Sequence, residues 1–440
     1  MGAVTDTKDV QRTLDLALRV GELLLSNGAG AADVTATMAS ITHHLGLRQT
    51  LVDVTFTSLT LSHQGSVDDV PIVMRRHVTH REVDYADLTA VDHLVTALLS
   101  DEIDRDEAAT RLARIASTGH PRPRWAITAS WGLTGVGVAL LLGGGWVVLA
   151  VAGVAGAAIE VLQRRLERLR LPFFYTQVAG ALVATVIAML VAATPLIVNP
   201  SLVVTAAIIM LLAGLGFIGA IQDALTGFTI TANARLMEVM IATVGIIVGV
   251  SAGLQVGEWI GVDFRLDPGA SGLSRLPGVM AGAALTSAAF AVSAYSPKRV
   301  VAPIGALAAL ASGLYVVTTQ SDVGRPAAAG LAAFAIGFLG FSLARRFRVP
   351  PLVVVVSCIV PLLPGLSIFR ALALLAAEDI GGLLSMITAA GVAVALASGV
   401  LLGQYVAQPV GREARRLERR LAGPRLVGPL RARAVRRDRD

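Results

Sequence analysis

Between residues 126 and 406 the chain is a succession of apolar runs, each about as long as the roughly 17 to 25 residues a helix needs to cross a bilayer. Ten such runs stand at 126–143, 146–163, 174–194, 201–221, 236–257, 277–295, 300–318, 325–343, 350–367 and 381–406. A mean hydropathy of +0.69, with 54% hydrophobic and 15% charged residues, places the chain outside the balance of water-soluble domains. A polytopic α-helical membrane protein is therefore the expected class.

The runs repeat. Leu-Leu-Ala-Gly-Leu-Gly-Phe-Ile at 211–218 returns as Leu-Leu-Pro-Gly-Leu-Ser-Ile-Phe at 362–369, each time at the end of an apolar run. Moving the other runs of the first half by the same distance lands each on a run of the second. An odd number of spans per unit forces the second unit to lie inverted relative to the first, so ten transmembrane helices in a 5+5 inverted repeat are predicted. Domain boundaries follow at 1–120, 125–260, 276–407 and 408–440. The two glycine motifs become pseudo-equivalent gates, with Gly214 in one and Pro364-Gly365 in the other able to free backbone groups for a solute. Close helix packing explains the same glycines equally well.

Charge fixes an orientation. With residue 120 inside, alternate connections hold 12 Lys+Arg, including Arg164, Arg165, Arg168 and Arg170, while the other side holds only Arg265, Arg275, Arg325 and Arg370. Residues 408–440 add 11 arginines on the same side, so both termini are expected in the cytoplasm. Beside apolar helices, basic residues set membrane orientation more simply than they bind nucleic acid, and no nucleic-acid partner is predicted. Trp125, Trp146 and Trp259 fall at span ends, where indoles suit the interface. One cysteine, Cys358, rules out a disulfide framework or a cysteine metal site.

Polar residues in an apolar setting mark candidate chemistry. The stretch 221–238 is expected either to dip back into the membrane or to form an ordinary loop anchored by Arg235. Within it, Asp223, Arg235 and Glu238 can form a charge network whose pairing changes as the repeats rock, with Thr229, Thr231 and Asn233 adding neutral hydrogen bonds. Its outer counterpart contributes Ser367, Arg370, Glu378 and Asp379. Glu160 is expected to snorkel toward Arg164, and Gln177 and Tyr175 to face either a cavity or a neighbouring helix.

Residues 1–120 hold 17 Asp+Glu against 10 Lys+Arg and read as a small α+β domain. Apolar stripes predict helices over 8–27, 31–45, 84–100 and 105–117, with strands at 52–62 and 70–78. Asp104 with Glu107 suggests a capping box. All seven histidines lie here, so proton movement in the membrane half would rest on carboxylates. His77 and His80 lack a third ligand, and Ser62-His63 lacks an acyl-transfer framework, so neither metal, cofactor nor catalytic residue is predicted.

Several segments together resemble the bacterial threonine/serine exporter family over nearly the whole chain. They are Leu14 to Ala29, Val34 to Gly46, the strand at 52–62, Asp223 with Gly227 and Ala234-Arg235, Ala344 to Pro350, and Pro361 to Leu366. The resemblance implies a ten-span carrier in the bacterial cell membrane with a cytoplasmic N-terminal domain. It would export threonine and serine using the proton motive force. Ala213 departs from the pattern, standing where the second motif has Pro364. A carrier of another small amino acid or organic solute, or a membrane-anchored enzyme with a hydrolase-like N-terminal domain, stay open as alternatives. A homo-oligomer is compatible with all of them.

Overall fold

The computed structural model describes every residue except 1–6, 67, 79–82, 120–121, 196–199, 212–213, 263–272, 322, 365–366, 368–370, 372–373, 375–379 and 409–440. It opens with α1 (Thr7–Ser26) and α2 (Ala31–His44). A three-stranded antiparallel sheet follows, β1 (Thr50–Val54), β2 (Ser58–His63) and β3 (Ile72–His77) in that order, then α3 (Tyr85–Leu99) and α4 (Arg105–Ser117). α1 buries Leu14, Leu18 and Leu25 against Met38 and Ile41 of α2 and Leu59 and Leu61 of β2. The expected single strand over 52–62 is a hairpin instead. Thr55 N–H donates to Ser58 O at 2.9 Å and the two hydroxyls meet at 2.8 Å, a turn without the Asn-Gly or Asp-Gly signal that would have announced it. Asp104 caps α4 through Glu107 N–H at 2.7 Å, but Glu107 turns outward to Arg111, so the capping box is half formed.

The apolar part contains α5 (Arg124–Leu141), α6 (Trp146–Arg168), α7 (Phe173–Ala192), α8 (Pro200–Leu211), α9 (Gly214–Leu225), α10 (Thr229–Trp259), α11 (Leu276–Ser293), α12 (Lys298–Thr319), α13 (Arg325–Phe347), α14 (Pro351–Ile359) and α15 (Gly381–Ala407). Among the described residues seven of these, α6, α7, α10, α11, α12, α13 and α15, are long and apolar enough to cross a membrane. The expected fourth run is helical over α8 and α9, with 212–213 between them outside the described residues. The ninth is short, with α14 passing into a 3-10 turn that ends at Leu362. Helix starts recur at fixed distance: 124 and 276, 146 and 298, 173 and 325, 200 and 351, 229 and 381, each pair 151 or 152 residues apart.

Glycines set the closest helix pairs. α10 lays Gly245, Gly249, Gly253 and Gly257 on α7, where added methyl groups would run into Phe174 O, Val178 O, Thr185 and Met189. α15 lays Gly399 and Gly403 on α13 against the carbonyls of Gly330 and Phe334. Gly137 of α5 and Gly282 of α11 face each other. Small residues every fourth position let backbones approach and gain dispersion contacts that lipid cannot supply. Trp125, Trp146 and Trp259 are exposed on the outside of the bundle, at helix ends, as an interfacial belt requires. Glu160 accepts from Thr128 at 2.6 Å and pairs with Arg164 at 3.2 Å, as its position suggested.

Two buried cores result. One joins α5, α6, α7, α8 and α10. The other runs without a break from α1–α4 and β2 into α11–α15, and takes in Ile218 of α9. The N-terminal elements α1–α4 and β2 therefore share a core with α11–α15. Tyr85 N–H donates to Ala294 O at 2.9 Å, His93 Nε2 donates to Arg348 O at 3.0 Å, and the Arg122 guanidinium donates to Val292 O and Ser296 O.

Gly249→Ala should lower the melting temperature of the purified protein, because the new methyl meets backbone and overpacking costs about 1–3 kcal/mol. Gly278→Ala, in α11 with nothing within 4 Å of its added methyl, should leave it equal or slightly raised. Thermal unfolding of both variants checks the contrast.

Candidate functional site

α9 ends in a Schellman turn. Gly227 adopts φ of 93°, Phe228 N–H donates to Asp223 O at 2.8 Å and Gly227 N–H to Ala224 O at 3.2 Å. The stretch 221–238 is thus the end of α9, a tight turn and the start of α10. The turn folds α10 back so that Arg235 lies along α9. Its Nε stands 3.2 Å from Asp223 Oδ2. Gly219, one turn before Asp223, makes the slot: a methyl there would sit 2.5 Å from Arg235 Nη1.

Asp223 is 1% exposed, and a carboxylate in the last turn of a helix faces the negative end of its own dipole. Two positive partners offset this. One is Arg235. The other is the N-terminus of α2, whose N-cap Gly30 offers no side-chain cap; Ala31 N–H donates instead to Asp223 Oδ1 at 3.0 Å. A carboxylate from the bundle thereby caps a helix of the N-terminal domain. Arg235 Nη2 also donates to Ala29 O at 3.4 Å, and Thr231 Oγ1 to Val54 O at 3.4 Å.

The same junction encloses a cavity of about 110 Å³. From the N-terminal domain it is lined by Gly30, Ala32 and Asp33 at the start of α2 and by Leu88, Asp92 and Val95 on one face of α3. From the bundle come Gln222, Asp223 and Thr226 of α9, Val355 of α14 and Gln404 of α15. Asp92 keeps some surface because it borders the cavity, yet it is nearly enclosed by protein, and this burial pushes its pKa up to about 6. Neighbouring His93 acts weakly in the opposite direction.

The other predicted residues divide. Thr229 and Asn233 are exposed and Glu238 is half-buried, and none of the three has a hydrogen bond or ion pair to Asp223 or Arg235. Gly214 begins α9, and Pro364 is buried just beyond the 3-10 turn. Gly365, Arg370, Glu378, Asp379 and the basic tail lie outside the described residues. Gln177 is buried while Tyr175 is exposed. Among the described residues Gln177 Oε1 and the hydroxyls of Thr286, Ser287 and Ser312 are buried inside the bundle without a hydrogen-bond partner. Sequence reasoning missed Ala31, Asp92 and Gln404. Asp92 had a signal: Leu88, Asp92 and Val95 share one helical face, so a charge interrupts an apolar stripe.

A family model described as "Putative threonine/serine exporter" matches residues 15–257, more than half of the chain, and a second, "Threonine/Serine exporter, ThrE", matches residues 279–406. The chain belongs to the threonine/serine exporter family. Two curated relatives agree. A "Probable threonine/serine exporter" of Mycobacterium tuberculosis is 35% identical over 92% of this chain and 78% of its own length. A "Threonine/serine exporter" of Corynebacterium glutamicum is 32% identical over 94% of this chain and 86% of its own length. No solved structure matches the chain. Together with its apolar helices, family membership makes this exporter-family chain a multi-pass membrane protein.

Burial at Asp92 has a pH consequence. A free aspartate titrates near 3.9, whereas this one is pushed up to about 6, so the folded protein holds the proton more tightly than the unfolded chain. The contribution is full below about pH 4 and is lost as pH rises to about 6. Asp92→Asn should raise the melting temperature at pH 7.5 and flatten its fall between pH 5 and pH 7.5, as followed by thermal unfolding in buffers of matched ionic strength.

Proposed function

We propose that this chain exports threonine and serine from the cytoplasm, driven by the proton motive force. Its membership in a family whose curated relatives are named threonine/serine exporters carries the reading. A transporter, rather than an enzyme, follows from the same relatives.

In this reading the bundle is a ten-span 5+5 inverted repeat. The five recurring helix starts support it, as do the matched glycine-packed pairs. α7 with α10 and α13 with α15 are the third and fifth helices of each unit, and α5 with α11 are the two first helices, packed across the centre. The described helix ends at Leu211 in the first unit and the 3-10 turn ends at Leu362 in the second, positions 151 residues apart. Interrupted helices present N–H and carbonyl ends that suit a zwitterion, so Gly214 and Pro364, with Gly365 and Arg370 beyond them, are assigned to the gates. Both termini are cytoplasmic in this account. The N-terminal domain rests on the connections before α10, α12 and α14, the arginine-bearing side of the charge count.

Asp223 is the coupling group. With its charge it holds Arg235 and the start of α2 together; protonated, it loses the ion pair and weakens its grip on the N–H. Because α9 packs with the core shared by the N-terminal domain and α11–α15 while α10 belongs to the other core, this change acts on the contact between halves. Thr229, Asn233 and Glu238 take part only if the halves rearrange. The partnerless hydroxyls of α11 are the groups available to read a substrate hydroxyl, which a polar site selects by leaving itself unpaired with alanine or valine.

Efflux of labelled threonine from preloaded bacterial cells tests the function. Cells carrying the chain should release threonine faster than empty-vector cells, and an uncoupler should abolish the difference. Asp223→Asn should remove coupled efflux with membrane insertion intact; wild-type efflux in that variant would remove Asp223 from the mechanism.

A further inference from the structure

Two turns of the bundle gather arginines at the end where the N-terminal domain sits. At the α13–α14 turn the Arg348 carbonyl accepts from His93 Nε2 of the domain at 3.0 Å and from Arg299 Nη2 at 3.2 Å. The α6–α7 turn presents its arginines outward instead, with Arg165, Arg168 and Arg170 exposed. Arg124, exposed at the start of α5, joins them, because Thr128 one turn later meets Glu160 and Arg164 of the antiparallel α6. Arg124, Arg165, Arg168 and Arg170 have no side-chain hydrogen bond or ion pair to a described residue. The carboxylates nearby do not neutralise the cluster, since Glu160 is held by Thr128 and Arg164 and Glu167 has an interaction of its own.

Positive charge at this end sets membrane orientation without any ligand. Two features go beyond that. The turn closes with Arg170 at φ of 54°, a conformation that glycine adopts at lower cost. Its N–H donates to Glu167 O at 2.9 Å and Leu171 N–H to Leu166 O at 3.3 Å. A guanidinium that orientation would accept a few residues away is thus held at the turn itself. Large apolar side chains also flank the charges: Trp125, Leu169, Phe173 and Tyr175 are all exposed on the outside of the bundle. They stand at the ends of α5, α6 and α7, and α6 and α7 are long and apolar enough to cross a membrane. Apolar surface beside clustered guanidinium groups matches a phosphate that carries acyl chains. Arginine binds phosphate oxygens in a bidentate fashion, and indole and phenol rings suit the headgroup level. A free anion would leave these rings uncovered.

We propose that the last turn of α6, with Arg124 and Arg170 beside it, binds the headgroup of an anionic phospholipid. Arg124, Arg168 and Arg170 take the phosphate oxygens, and Trp125, Leu169 and Phe173 rest against the upper acyl chains. The site lies on the core formed by α5, α6, α7, α8 and α10, which the core of the N-terminal domain does not enter. Lipid thus anchors α5–α7, while the domain docks on α11–α15. This assignment is independent of which solute the chain carries.

Brominated acyl chains quench a nearby indole, so Trp125 reports on the site. The full-length protein is placed in nanodiscs of phosphatidylcholine doped with brominated phosphatidylglycerol or, in parallel, brominated phosphatidylcholine. Both faces of a nanodisc hold the same lipid, so insertion direction cannot create a difference. Quenching of Trp125 is read as the difference between the wild type and Trp125→Phe. It should be half complete at a mole fraction of the anionic lipid about tenfold or more below that of the zwitterionic one, since each arginine near the surface favours anionic lipid about fivefold. Arg168→Gln with Arg170→Gln should bring the two lipids to within about threefold of one another, whereas Arg168→Lys with Arg170→Lys, which keeps the charge, should retain most of the preference. Equal half-points for the two lipids in the wild type, or a preference unchanged in the glutamine pair, would overturn the site. So would a preference that inorganic phosphate removes and sodium chloride of the same ionic strength does not, because the occupant would then be a free anion.

Discussion

A single buried carboxylate has to be satisfied where three parts of the chain meet, and the arrangement around it follows from that requirement. Asp223 sits at the negative end of α9, 1% exposed, a position that is unfavourable without positive partners. The Schellman turn at Gly227 brings one of them, Arg235, back along α9. The uncapped start of α2 supplies the other. Because that start belongs to the N-terminal domain, satisfying Asp223 docks the domain, and docking continues its core into α11–α15.

This arrangement gives the N-terminal domain a physical role. Its contacts are with the connections between helices, at Ala294, Arg348 and the α9–α10 turn, where relative movement of two halves would be felt first. Asp223 touches the start of α2 and Arg235 of α10 together. The glycine-packed pairs, by contrast, are close seams in which a helix meets its neighbour's backbone or side chains without room for a methyl group.

Much of this was legible in the sequence because hydrophobic length and charge asymmetry are strong, local signals. The α1–α4 helices, the seven long apolar helices and the spacing of helix starts could be read from period and spacing. Asp223 and Arg235 stood out as charges in an apolar stretch, and they do pair. What could not be read depends on tertiary contact. That α2 lacks its own cap is visible at Gly30, but that Asp223 replaces it across 192 residues is not. Thr229 and Asn233 looked like partners of Asp223 by proximity in sequence, yet the helical turn of α10 carries them to the exposed side. The hairpin at 55–57 was hidden because threonine and phenylalanine read as strand.

The claim that Asp223 fastens the N-terminal domain by capping α2 is tested most directly by removing only the other half of that hydrogen bond. Proline is tolerated at the first position of a helix and lacks the N–H, and Gly30 already has the extended backbone a following proline prefers. Melting temperatures of the wild type, Ala31→Pro, Asp223→Ala and the double variant form a cycle. The account predicts that each single change lowers the melting temperature and that the double variant melts no lower than the weaker single one. Losses that simply add would contradict it, since the two groups would then act independently.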